Sequence, residues 1–169
     1  LEERLQHTQK LESLAALANA CRSPAVARSR LFGWLVFNVL TGNGDAHLKN
    51  LSFMVSHEGV QLAPFYDLLC TAAYDSAAFG KQGWPARTQL AWPILGAHHF
   101  ADIDRDLLLQ AGAALNIARG TAGRLLENLR GNFFVNSYVK ARLLTHDPAR
   151  QISYDKDPLI ARALPVHIL

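Results

Sequence analysis

The absences in this sequence narrow its class first. No apolar stretch reaches membrane-spanning length: charged or polar residues interrupt every candidate within about 14 residues, short of what a bilayer-crossing helix needs. No membrane role is expected. A basic-then-apolar secretory segment is also missing, and "LEERLQHTQK" opens without an initiator Met, which reads as a fragment or processed product. Only two cysteines occur, Cys21 and Cys70, without CxxC or zinc-finger spacing. The expectation is two buried free thiols in a reducing cytoplasm, rather than a disulfide. Blocks of like charge are absent too: 17 Lys and Arg are interspersed with 14 Asp and Glu for a net +3, which gives little support for a nucleic-acid groove. Ser52, Ser56 and Ser76 lack the G-x-S-x-G elbow of a serine hydrolase.

What is present reads as one mainly helical domain over residues 1–169. Half the residues are hydrophobic, and a chain this long buries roughly 70% of the surface it exposes when unfolded. "TQKLESLAALANACR" has helical apolar spacing, with Pro24 soon after. "VARSRLFGWLVFNVLTG" is apolar nearly all round its cylinder, which predicts a central buried helix stopped at Gly42. "LSFMVS" and "VQLAPF" flank "HEG" as a hairpin-like strand pair. From Asp67 to Trp92 small residues, Gly80, Gly83 and Pro85 read as a loop with a short strand at "TQLAW", closed by Pro93 and Gly96. Helices return in "DIDRDLLLQAGAAL", capped by Asp102 or Asp104, in "ARGTAGRLLENLRGNFFVNSYVKARLLTH", whose glycines could bend or divide it, and in a short "DPLIARAL". Trp34, Trp84 and Trp92 read as core or loop anchors. His98 and His99 in "AHHF" have no third ligand at a helpful spacing, which favours surface or packing roles over a metal.

The chemistry concentrates in "GNGDAHLKN", Gly42 to Asn50, and in "LAPFYD", which ends on Asp67. Asp45, Asn50 and Asp67 are three oxygen-bearing side chains in an order suited to phosphoryl transfer. One carboxylate can orient a hydroxyl and accept its proton, while an Asn and a second Asp suit magnesium on nucleotide phosphates. Gly42 and Gly44 would permit unusual backbone angles on entry. His47 is suited to bracing the loop through backbone carbonyls, and Lys49 to neutralising phosphate charge. Each piece also has a plainer reading: G-N-G-D is favourable turn chemistry, and Asp67 is equally suited to capping a helix that opens "LLCTAA".

Together, "FNVLTGNGDAHLKNLSFMV", "VQLAPFYDLLCTAAY" and "TQLAWPILGAHHF" resemble the C-terminal catalytic lobe of HipA-like serine/threonine kinases, the toxins of bacterial toxin–antitoxin pairs. The resemblance is strong over residues 30–100 and weaker in the flanking helices. It implies a kinase C-lobe-like fold, mainly α with a small β-hairpin insertion. It further implies Asp45 as the catalytic aspartate, with His47 and Lys49 beside it, and Asn50 and Asp67 as magnesium ligands. Lys49, Asn50 and Asp67 would face the ATP phosphates. Implied partners are a HipB-like DNA-binding antitoxin and a protein substrate such as an aminoacyl-tRNA synthetase, all in the cytoplasm. The pattern departs in two places: Gln89 stands where the family often carries Lys, and the 41 residues before the loop hold no Gly-rich phosphate loop or nucleotide-binding lobe. The isolated chain is therefore expected to bind Mg-ATP poorly and transfer phosphate negligibly. A non-catalytic module that binds an antitoxin is the alternative, and a small-molecule or lipid phosphotransferase a weaker one.

Overall fold

The computed structural model describes residues 11–75, 80–81 and 87–144, with side chains described as far as 132 except that of Ala73. The expected "DPLIARAL" helix, Ser76 and Trp84 fall outside these residues. Among the described residues, four α-helices and two small antiparallel hairpins follow in the order α1 (Leu11–Asn19), α2 (Pro24–Thr41), β1 (Phe53–Ser56), β2 (Gly59–Leu62), β3 (Gln89–Ile94), β4 (Ala97–His99), α3 (Arg105–Ala114) and α4 (Arg119–Leu144). No described helix is long and apolar enough to cross a membrane.

The helix α2 is the axis of the fold. Its apolar residues lie around the whole cylinder, and Leu31, Phe32, Leu35, Val36 and Val39 are almost fully buried. The other three helices all pack against it. Burial of each such side chain stabilises the fold by roughly 1.5–3 kcal/mol. Pro24 does not terminate the preceding helix but starts α2 at its first turn, where the missing N–H costs nothing. At the other end Gly42 takes the left-handed conformation, φ 65°, and closes the helix as expected.

The first hairpin matches the sequence reading, pairing Phe53 with Leu62 and Ser56 with Gly59. It is seated on the α1–α2 corner, where Arg22 N–H donates to the Val60 carbonyl at 2.8 Å and Arg22 pairs with Glu58. The expected lone strand at "TQLAW" is instead half of a second hairpin: it runs through Pro93 to Ile94 and returns as β4. The turn is made by Leu95 and Gly96, both at positive φ (50° and 90°), a geometry that suits a tight hairpin and that leucine rarely advertises.

Asp104 caps α3, its carboxylate accepting from Leu107 N–H at 2.7 Å. Asp102 caps a preceding short turn instead, where its carboxylate accepts from His99 N–H at 3.1 Å. That bond holds the Asp102 pKa below its ordinary value of 3.8. The linked stability is therefore complete above that value and is lost as pH falls through the lowered one. An NMR titration should place the Asp102 midpoint below 3.8. The helix α3 ends with Asn116 in the left-handed conformation, φ 58°. The glycines of α4 neither end nor divide it.

One glycine is required by packing. A Cβ on Gly112 of α3 would lie 2.8 Å from Ala122 Cβ of α4 and 3.3 Å from Phe32 of α2, so the three helices meet where only hydrogen fits. G112A should destabilise the domain by about 1–3 kcal/mol through overpacking, less the roughly 1 kcal/mol that Ala gains over Gly in a helix. Urea denaturation of G112A, A122G and the double variant checks this, with a favourable coupling expected in the pair.

Candidate functional site

The loop after α2 is built on main-chain bonds. Asn43 N–H donates to the Asn38 carbonyl at 2.8 Å, continuing the helix cap. The Asn43 side chain is buried, 2% exposed. Its Nδ2 donates to Asn38 Oδ1 at 2.8 Å and to the Asp67 carbonyl at 2.9 Å, while its Oδ1 accepts from Asp45 N–H at 3.1 Å. Asn38 is oriented in turn by donating to the Trp34 carbonyl at 2.8 Å. Of the two loop glycines, only Gly42 uses a positive φ. Gly44 is small for a different reason: a Cβ there would come within 3.0 Å of the Gln89 carbonyl and 3.3 Å of Thr71 Oγ1.

Asp45 and Lys49 point outward, and Asn50 is buried. The Asp45 carboxylate is 59% exposed, with His47 Nε2 3.1 Å from its Oδ1. His47 thus braces the loop through that carboxylate rather than through carbonyls. The Asp45 carbonyl accepts from His47 N–H at 2.8 Å and from Asn50 Nδ2 at 3.1 Å. Trp92 of β3 donates from Nε1 to the Ala46 carbonyl at 3.2 Å, and Tyr66 donates to the Lys49 carbonyl at 3.0 Å. Three side-chain props, Asn50, Trp92 and Tyr66, therefore hold residues 45, 46 and 49 by their carbonyls.

Asp67 arrives on a strap fixed to α2. Arg30 donates to the Leu62 and Ala63 carbonyls at 2.8 and 2.9 Å, and its guanidinium lies over the Phe65 ring, 5.2 Å from the centroid. Asp67 does not cap a helix: it adopts φ 52°, and the next helical turn begins only at Thr71. A positive φ at an aspartate is uncommon, and here two bonds to its carbonyl, from Asn43 Nδ2 and from Leu69 N–H at 3.1 Å, enforce it. Thr71 completes the join, its Oγ1 accepting from Gly44 N–H at 2.7 Å and donating to the Gly42 carbonyl at 3.1 Å. The Cys70 thiol beside it is exposed, whereas Cys21 is buried, and both are free.

The loop and the strap are thus brought together by Asn43 and Thr71, two residues with no role in the sequence reading. A buried Asn38 inside the apolar run "LVFNVL" was the available signal, since a polar residue on such a helix needs a partner. Trp92 and Tyr66 were noted without a chemical part, and both serve the loop. The site offers hard-cation donors of the right kind. Asn50 spends its amide nitrogen on the Asp45 carbonyl, which leaves its oxygen as the end able to accept, and among the described residues nothing pairs with the exposed Asp67 carboxylate. No three His, Cys, Asp or Glu among the described residues gather into a group that could hold a metal ion by themselves. One amide oxygen and one carboxylate suit magnesium shared with phosphates.

Comparison with known proteins gives the family. The sequence profile of the HipA-like C-terminal domain matches residues 2–129. The chain belongs to the HipA-like C-terminal domain family. It is 44% identical over 62 residues, 37% of its length, to the serine/threonine-protein kinase toxin HipA of Shewanella oneidensis, of which that segment covers 14%. Over 51 residues, 30% of the chain and 12% of the relative, it is 45% identical to the putative kinase Y4mE of Sinorhizobium fredii. Its fold matches a chain in the Shewanella oneidensis complex of HipA, HipB and operator DNA with TM-score 0.66 and 26% identity, over 91% of this chain and 33% of that one. The chain thus spans about a third of that solved chain, and its matched segments cover less than a sixth of the curated relatives. As in the sequence reading, this HipA-like domain is mainly helical, now with two hairpins rather than one.

Replacing Trp92 tests whether the loop depends on its props. W92F keeps most of the ring and leaves the Ala46 carbonyl without its donor, which should cost about 1–3 kcal/mol in denaturant unfolding. Y66F removes an exposed bond and should cost less, about 0.5–1 kcal/mol.

Proposed function

We propose that this chain is the catalytic-lobe portion of a HipA-like Mg-ATP-dependent serine/threonine protein kinase. The observation that carries the reading is the joining of the Asp45 loop to Asp67 through Asn43, which ties the main chain of a candidate base to that of a candidate metal carboxylate. Asp45, exposed and next to His47, takes the proton of a protein hydroxyl as that oxygen bonds to the transferred phosphoryl group and the bond to the leaving diphosphate breaks. Asn50 and Asp67 would hold magnesium, which would neutralise charge on the nucleotide phosphates. Lys49, exposed on the same loop, supplies a cation toward those phosphates or the hydroxyl. The identity with the HipA toxin and the match to its complex with HipB and operator DNA support the reading. Its partners would be a HipB-like antitoxin and a substrate of the aminoacyl-tRNA synthetase kind, in the cytoplasm.

The nucleotide is covered by a separate lobe in this reading, and the 169 residues act as the lower half of the site. Joined to the nucleotide-binding lobe of a HipA-type relative, the chain should support ATP-dependent phosphorylation. D45A should lower kcat by about 10²–10⁴-fold, and D67A should abolish the response to added magnesium. Undiminished transfer in either variant would overturn the assignment. Calorimetry on the chain alone should give Mg-ATP binding weaker than micromolar; tighter binding would mean that the lobe holds nucleotide unaided.

A further inference from the structure

We propose that Asn43 is the positioning residue that sets the separation of the nucleophile side of the site from its metal side, with Asn38 fixing the orientation of its amide. This rests on the kinase reading above and deepens it. The argument starts from hydrogen-bond inventory. An asparagine amide carries two N–H donors and an oxygen acceptor, and in Asn43 both donors and the oxygen are engaged. The oxygen faces the Asp45 N–H, and the nitrogen faces two oxygens, those of Asn38 and Asp67. Reversing the amide would set oxygen against both acceptors and nitrogen against a donor. Only one orientation works, and Asn38 locks it: its own nitrogen is spent on the Trp34 carbonyl, which turns its oxygen toward Asn43.

The two outward bonds end on main-chain atoms of the two residues whose carboxylates do the proposed chemistry. One fixes the Asp45 amide, and the other fixes the carbonyl of Asp67 at its positive φ. A rigid amide between them makes their spacing a property of α2, from which Asn38 projects. Asn43 touches no reacting atom in this scheme and acts through Asp45 and Asp67. It is buried at 2% beside a cavity of about 20 Å³, room for roughly one water. Truncation there would enlarge that space and let water satisfy the freed groups without fixing their distance, so that register should suffer more than stability. N43D is the sharper variant, because it keeps the shape and places carboxylate oxygens against the Asn38 and Asp67 oxygens.

The test uses the 169-residue chain, manganese(II) as a paramagnetic stand-in for magnesium, and backbone NMR. In the unaltered chain Mn2+ should broaden the Asn50 and Asp67 amides together, and the Asp45 amide should be protected from hydrogen exchange. In N43A and N43D, exchange at Asp45 and Leu69 should rise together by about tenfold or more. Mn2+ affinity should fall by about 10–100-fold, and the joint broadening should separate. L115A, a core truncation, serves as the stability control and should leave both signatures intact at a comparable or larger loss of Tm. Unchanged Leu69 exchange with retained joint broadening in the Asn43 variants would overturn the proposal. So would the same changes in L115A, which would make the role of Asn43 merely structural. Absence of broadening in the unaltered chain would overturn the metal reading itself, and with it the functional part of this inference, while the exchange data would still report whether Asn43 couples the two segments.

Discussion

The contact on which the rest of the site depends is the bond from a buried asparagine amide to the carbonyl of a residue 24 positions later. Everything upstream prepares it. The helix α2 is largely buried from Leu31 to Leu40, so its C-terminal turn is a fixed platform. The left-handed Gly42 turns the chain off that platform at a set angle. Everything downstream inherits it: the strap that carries Asp67 is pinned at one end by Arg30 and Phe65 and at the other by Thr71. Hydrogen bonds in a poorly hydrated interior are directional and costly to leave unmade, so a buried polar network of this kind selects one arrangement where apolar packing alone would tolerate several.

The large features were legible in the sequence because they follow from periodicity and end signals. The all-round apolarity of "LFGWLVFNVL", the Gly42 stop, the "HEG" hairpin and the Asp104 cap each rest on a local physical rule, and each appears in the structure. The second hairpin was hidden, since Pro93 argues against a continuing strand and Leu95 at positive φ carries no turn signature. Gly44 was given the wrong physical reason: its smallness answers to the Gln89 carbonyl, a partner 45 residues away that no local pattern announces. Likewise the thiol of Cys70 is exposed although its neighbours are apolar, because that stretch follows the strap and not the core.

For the site, the sequence supplied the chemistry and withheld the framework. Asp45, Asn50 and Asp67 were conspicuous as residue types in a known order. Their supports were not, because Tyr66, Thr71 and Trp92 act on main-chain atoms at separations of 17 to 46 residues. Such bonds need a donor of suitable reach and no particular neighbour, so they leave almost no trace in local composition. Asn38 came nearest to being readable, as the one amide within a run of apolar letters.

One feature of the loop has consequences for its history as well as its folding. Because Asp45, Ala46 and Lys49 are held by their carbonyls, the path of the backbone does not need the Lys49 side chain and leans only in part on the Asp45 carboxylate, which also meets His47, while the buried Ala46 must stay small. In the proposed reading, loss of a carboxylate at 45 or an ammonium at 49 would remove a reagent and leave the carbonyl props of the bench in place. A lineage can therefore silence such a site, or refit it for another acceptor, without first solving a folding problem, and an inactive descendant would keep the same loop in the same place.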